Sequence, residues 1–289
     1  ASLLPGCKKN QLPSQTEEPK IPIKISSTVT KVSSDEFSDG DAIGLYVVNA
    51  TQNSAGDWSS STLQTNGNHL DNVRFTFKEK IWKSDKEYYW KDSRTKADFY
   101  CYYPYVQTID EVKAVAYISP SNQGSKEAFE SAEILWGRAE LQKPTSESVN
   151  IISTHMMSQL IIEVRPGKGF TEETLKESLK SVVINGIMCH AQLDISKGKL
   201  TASGDMTDVT PYYDGQYYRA LIAPQKIDNK TLITLEVDNL ERSLAVSSIE
   251  FSSNTRKKCT LTVNKLSEGI NVGIGGWEDD ENDYGGTLN

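Results

Sequence analysis

Reactive side chains are few in this sequence, and the first of them is a thiol. Leu4-Pro5-Gly6-Cys7 sets an aliphatic residue and two permissive positions before a cysteine. That is the order in which a lipid-accepting cysteine follows the end of a bacterial export signal. Histidine, the commonest general base near neutral pH, occurs three times, as His69, His155 and His190. His69 stands near Asp71 in a polar stretch, where solvation is the ordinary state. His155 precedes Met156-Met157 at the start of a strand, where packing or a hydrogen bond is expected. His190 follows Cys189, but neighbours on a strand face opposite sides, so the two form neither a dyad nor a shared metal site without a bulge. No H-x-x-x-H, G-x-S-x-G, phosphate-loop or dinucleotide fingerprint occurs. The acidic tail Trp277-Glu-Asp-Asp-Glu-Asn-Asp283 lacks the alternating ligands and turn glycine of a calcium loop. Paired carboxylates of glycosidase type would be assembled only by tertiary structure. The chain reads as non-enzymatic, with no cofactor and no metal.

The elements that would position anything here are strands. Behind Cys7, Lys8 to Pro19 form a polar tether, and then Ile21, Ile23 and Ile25 alternate with Pro22 and Lys24. Period-two alternation predicts a half-buried strand continuing towards Val29. Pro22 has no N–H to donate, which suits an edge or leading strand. Further on, Phe75–Phe77, Lys86–Trp90, Asp98–Tyr103, Ala114–Ile118, Gln159–Val164, Ser181–Ile184 and Leu232–Val237 are short and rich in aromatic or β-branched residues. Gly, Pro, Asn, Asp and Ser punctuate them, the pattern of a β-sandwich. A short helix is expected after Thr171, whose hydroxyl can cap a turn carrying Glu172 and Glu173, with Leu175 and Leu179 on one face. A weaker one is expected within Ser125–Glu133. Asn49–Asn68 is too long for an ordinary connection and reads as an elaborated hairpin in which Trp58 packs.

At 289 residues the chain suffices for two domains, and Gln142–Ser148 is the natural break. The resulting division is residues 1–20 as acceptor cysteine and tether, 21–145 as a first domain and 146–289 as a second. With 31 basic against 39 acidic residues, the net charge is −8, which argues against nucleic acid, since its binding rests on neutralising phosphates. No apolar run reaches the ~20 residues of a membrane-spanning helix. Cys7, Cys101, Cys189 and Cys259 are far apart. If Cys7 is acylated an odd number remains, and buried single thiols are expected. Trp82, Tyr88, Tyr89, Trp90 and the aromatics of Tyr100–Tyr105 could form a saccharide-stacking platform, although alternation assigns about half of each run to a core.

Several segments, in order, resemble the Bacteroidales fimbrillin-like proteins, the type V pilins and their accessory subunits. They are Phe37-Ser-Asp-Gly-Asp-Ala-Ile-Gly-Leu-Tyr46, Ala97-Asp-Phe-Tyr-Cys-Tyr-Tyr-Pro-Tyr105, Ile134-Leu-Trp-Gly137, His155-Met-Met-Ser-Gln-Leu160, Arg219-Ala-Leu-Ile-Ala-Pro-Gln225 and Ile270-Asn-Val-Gly-Ile-Gly-Gly-Trp277. The resemblance implies an all-β chain of two tandem transthyretin-like Greek-key β-sandwich domains. It also implies a lipoprotein precursor anchored to outer-membrane lipid through Cys7, whose first strand (Ile21, Ile23, Ile25, Val29) is removed. A strand from another fimbrial subunit then fills the vacated groove, and Ile270, Val272 and Ile274 are the candidate donor. No arginine precedes Arg74, so Lys20, Lys24 and Lys31 are the candidate processing positions. The leading expectation is thus a surface fimbrial subunit working in polymerisation or adhesion, with ligands on host or bacterial surfaces. The runner-up is a monomeric carbohydrate-binding surface lipoprotein.

Overall fold

The computed structural model describes residues 19–28, 37–267, 269–274 and 278–279. Cys7, Val29 and Lys31 lie outside the described residues. The first half holds β1 (Lys24–Ser27), β2 (Ala42–Asn49), β3 (Thr51–Gln52), β4 (Trp58–Ser59), β5 (Leu70–Lys78), β6 (Ile81–Ser84), β7 (Ala97–Tyr103), β8 (Val115–Ile118), α1 (Lys126–Ser131), β9 (Leu135–Gln142), β10 (Ser148–Ile151) and β11 (Ser153–His155). The second holds β12 (Ser158–Pro166), α2 (Glu172–Ser178), β13 (Leu179–Asp194), β14 (Lys199–Val209), β15 (Tyr212–Tyr213), β16 (Tyr218–Ile222), β17 (Gln225–Val237), β18 (Leu240–Phe251), β19 (Arg256–Leu266), β20 (Gly269–Ile274) and β21 (Glu278–Asp279). The fold is all-β and layered, as the strand pattern predicts.

A six-stranded antiparallel sheet in the order β11-β9-β7-β2-β5-β6 organises the first half. Its central strands β2 and β7 are apolar at nearly every position because both faces are covered. Ile43, Leu45, Val47, Phe99 and Cys101 face a core shared with β1 and β10. Tyr46, Val48, Tyr100 and Tyr102 face the other way, into a core completed by Leu193, Leu221 and Met157 from the second half. Gly44 has a clear packing reason: an added Cβ would stand 2.1 Å from the Tyr102 ring.

Two further sheets, β15-β16-β12-β19-β20 and β14-β13-β17-β18, enclose the core of the second half. Helix α2 closes one side through Leu175, and Thr171 and Thr174 form its reciprocal cap. Within Asn49–Asn68, β3 and β4 pair as a small hairpin in which Trp58 is half-buried.

The halves are tied together by one long hairpin. Strand β13 runs 16 residues; it pairs with β17 over Leu179–Ile184 and with β8 over His190–Leu193, while β14 follows it on the other edge. Its far end therefore delivers Ala191, Leu193, Ile195 and Leu200 to the core beneath Tyr46 and Tyr102. At the tip, the Trp136 indole N–H donates to the Ile195 carbonyl at 2.7 Å. Relative to a division at 145/146, β8 pairs with the second half, whereas β10 and β11 pair with β1 and β9.

Cys101, Cys189 and Cys259 are free and buried, and burial pushes the thiols of Cys101 and Cys259 up to about 12. At the hairpin tip, Gly198 has φ +63° and an added Cβ would lie 2.4 Å from the Trp136 ring. Gly198→Ala is therefore expected to destabilise the protein by about 1–3 kcal/mol, through the left-handed backbone and the displaced ring. Urea unfolding of the variant against the parent checks this, and an unchanged midpoint contradicts it.

Candidate strand-insertion groove

The leading strand is built into the first domain from both sides. Ile21, Ile23 and Ile25 lie on one face by the period-two rule, and Ile23 and Ile25 are only 7% and 6% exposed. They enter the core of Leu45, Phe75, Trp90, Phe99, Val149 and Ile151, where the Trp90 and Phe99 rings lie 5.2 Å apart. On one flank the Ile23 N–H donates to the Tyr88 carbonyl at 2.8 Å, and the Trp90 N–H donates to the Ile21 carbonyl at 2.9 Å. Pro22 sits opposite Tyr89 between these two bonds. Its missing N–H is not needed there, because the bonded groups belong to its neighbours. On the other flank β1 runs parallel to β10, with Lys24 opposite Ser148 and Ser27 opposite Ile151.

The flanks are themselves held. His69 Nε2 lies 2.7 Å from the Tyr89 carbonyl, a contact that requires the proton on that nitrogen. It braces the 88–90 stretch from behind. Val149 and Ile151 are buried while Ser148 and Asn150 are exposed, so β10 turns one apolar face to the same core. Burial raises the Tyr88 phenol above its ordinary range, with nearby Asp85 adding to the effect. Lys20 and Lys24 are exposed, and the Lys20 ammonium lies 5.8 Å from the Tyr89 ring centroid.

The structure brings Ile21, Ile23 and Ile25 together but keeps the candidate donor elsewhere. Strand β20 lies at the edge of the second-half sheet, paired antiparallel with β19 from Leu266↔Gly269 to Leu261↔Ile274. Ile270 is 6% exposed and Val272 packs against the same second core. The Arg242 Nε–H donates to the Ile270 carbonyl at 2.6 Å.

Sequence reasoning did not find His69, Val149 and Ile151 as groove residues. The alternation in Ser148-Val-Asn-Ile151 was the available signal, whereas His69 had none. The stretch Lys86–Trp90, read as a strand, is instead a single extended lip with one bridge. About half of the expected stacking platform is core: Trp82, Trp90, Tyr100 and Tyr102 are buried, leaving Tyr88, Tyr89, Tyr103 and Tyr105 half-buried. His155 Nδ1 lies 3.2 Å from the buried Glu133 carboxylate, the hydrogen-bonded state expected of it. What the groove can do is hold an extended segment by main-chain bonds and alternate side-chain pockets.

Residues 30–277 match the model of a family described as fimbrillin-like. Among solved structures, a candidate cell adhesion protein from Bacteroides uniformis superposes with a TM-score of 0.65 at 17% identity, over 93% of this chain and 99% of that one. A candidate cell adhesion protein from Bacteroides ovatus gives 0.67 at 12% identity, over 91% and 98%. A fimbrial protein from Bacteroides ovatus gives 0.50 at 18% identity, over 87% of this chain and 50% of that one. These likenesses establish a shared fold. No curated protein matches the chain.

Truncating Ile23 or Ile25 to Ala should lower stability by about 2–5 kcal/mol each, the usual cost of emptying a buried aliphatic site. Lys24→Ala, between them but exposed, should stay within about 0.5 kcal/mol. Denaturant midpoints for the three variants distinguish an inserted strand from a loosely attached one. Equal, negligible effects at all three positions contradict insertion.

Proposed function

The chain belongs to the fimbrillin-like family, and on that premise we propose that it is a non-catalytic structural subunit of a surface fimbria, assembled by strand addition and serving adhesion. One observation carries the assembly reading: among the described residues, β1 is the ladder partner of β10 and fills the core opening beside it. Each isoleucine buried there is worth about 1.5–3 kcal/mol relative to exposure. Loss of β1 leaves an apolar cleft and an unpaired edge, a template for a strand from another subunit.

Strand β20 offers the same i, i+2, i+4 apolar spacing in Ile270, Val272 and Ile274. In the monomer it is seated in its own sandwich, so donation means leaving β19 and the Arg242 bond. Exchange is then near balance, one apolar slot traded for another, and proceeds once a neighbour's groove is open. Of the processing positions, cleavage after Lys20 leaves β1 attached and cleavage after Lys24 divides it. Cleavage after Lys31 releases all of β1, which favours that position.

Anchoring of the precursor falls to Cys7, with outer-membrane lipid as the partner. Each buried CH₂ of an acyl chain adds about 0.8 kcal/mol of membrane affinity. Cys7→Ala in the full precursor should therefore move the protein out of the membrane fraction, and retention there contradicts lipidation.

Strand addition is tested by two truncations. A variant lacking residues 1–32 should form a ladder of oligomers in size-exclusion chromatography and electron micrographs. A second, also ending before Ile270, should remain monomeric. The mechanism fails if both stay equally monomeric and stable, and the choice of β20 as donor fails if both polymerise.

A further inference from the structure

Away from the groove, the second face of β5 is open at the end of the sheet that the second half does not cover. Arg74, Thr76 and Lys78 line it with Lys83, Asp85 and Tyr88, forming a cleft of about 620 Å³ that ends at Tyr105. A cleft of about 560 Å³, floored by Asp41, Ala42, Pro104 and Gln107, meets it from the opposite side. Arg74 and Tyr105 line both. The guanidinium carbon of Arg74 lies 5.7 Å from the Tyr105 ring centroid, close enough for cation–π attraction.

Arg74 is exposed and has no carboxylate within ion-pair distance among the described residues. The neighbouring acids are engaged otherwise. Asp71 accepts the N–H groups of Gly67 and Asn68, and Asp41 accepts the Ser38 N–H and the Tyr103 hydroxyl. In a chain of net charge −8, a stacked arginine without an acid partner among the described residues, shared by two clefts, is a prepared anion contact. Its planar fork matches a carboxylate through two parallel bonds.

The surroundings narrow the ligand. Tyr88 and Tyr105, with Lys86 and Arg74 over their rings, line the clefts with aromatic surface for a pyranose, and Thr76, Asp85 and Gln107 line them as groups able to hydrogen-bond its hydroxyls. Asp41, Asp71 and Asp85 stand around the same clefts against Arg74, Lys78 and Lys83, a nearly balanced lining that suits a single carboxylate better than a sulfate-rich chain or nucleic acid. We propose that the two clefts joined at Arg74 form one binding site for an acidic saccharide, with Arg74 holding the carboxylate of a uronic or sialic acid residue in an otherwise neutral glycan. The site uses the face of β5 opposite the strand groove and shares only Tyr88 with the groove's lip.

The probes are a sialylated trisaccharide, a galacturonic acid trisaccharide and a neutral galactose trisaccharide, titrated calorimetrically into the intact protein at low and high salt. At least one acidic probe should bind, the neutral one at least about tenfold more weakly, and salt should weaken the acidic binding. Arg74→Ala should reduce acidic binding by about tenfold or more with an unchanged urea midpoint, because the side chain is exposed. Arg74→Lys should recover only part of it, since a point charge cannot make the paired contact. Failure of both acidic probes to bind, equal binding of the neutral probe, or undiminished binding by Arg74→Ala each overturns the proposal. So does a heparin fragment that binds more tightly than the carboxylated probes.

Discussion

Buried main-chain N–H and C=O groups must be paired, and in this chain two separate stretches meet that demand through the same short strand. The lip at 88–90 pairs antiparallel with residues 21–23, and β10 pairs parallel with β1, which continues directly from them. The isoleucines then close the core that those pairings enclose. Main-chain and apolar requirements coincide on one short stretch, residues 21–27. A segment that satisfies both is hard to lose without replacement, and neither requirement depends on which molecule supplies it, which is the physical basis of the proposed strand addition.

The rest of the fold stabilises the frame around this slot. The six-stranded sheet is covered on both faces, by β1 and β10 on one side and by the β13–β14 hairpin on the other. Because β13 crosses from one core to the other and pairs with β8 on its way, the second half contributes directly to the first half's packing. The Trp136 bond to the hairpin tip secures that crossing. Under the proposed assembly, a frame fixed in this way would keep the sheet formed while one strand is exchanged.

Aromatic residues divide between two roles according to face. Tyr46, Tyr100 and Tyr102 are core side chains, and Trp82 and Trp90 close the other face. Tyr88 serves twice: its carbonyl holds β1 while its ring lines the cleft beside Arg74. The proposed binding face and the proposed assembly slot thus share a wall but use different atoms of it.

What the sequence determined by itself was local. The alternation of Ile21, Ile23 and Ile25, the Thr171 cap and the isolated thiols were all legible, whereas the burial of both faces of β2 and β7 was not, since their runs read as half core. Each follows from side-chain period or type, which neighbours along the chain suffice to set. What only the tertiary structure decided was partnership: that β1 lies beside β10 and residues 21–23 beside the 88–90 lip, that β8 joins β13, that His69 braces Tyr89, and that Arg74 stands between two clefts with no acid partner among the described residues. Every residue of a strand offers the same N–H and C=O, so its sequence carries no label naming the strand beside it. That choice falls to the packing of side chains distant in the chain, and so does the seating of β20 in its own sandwich rather than at the groove its spacing resembles.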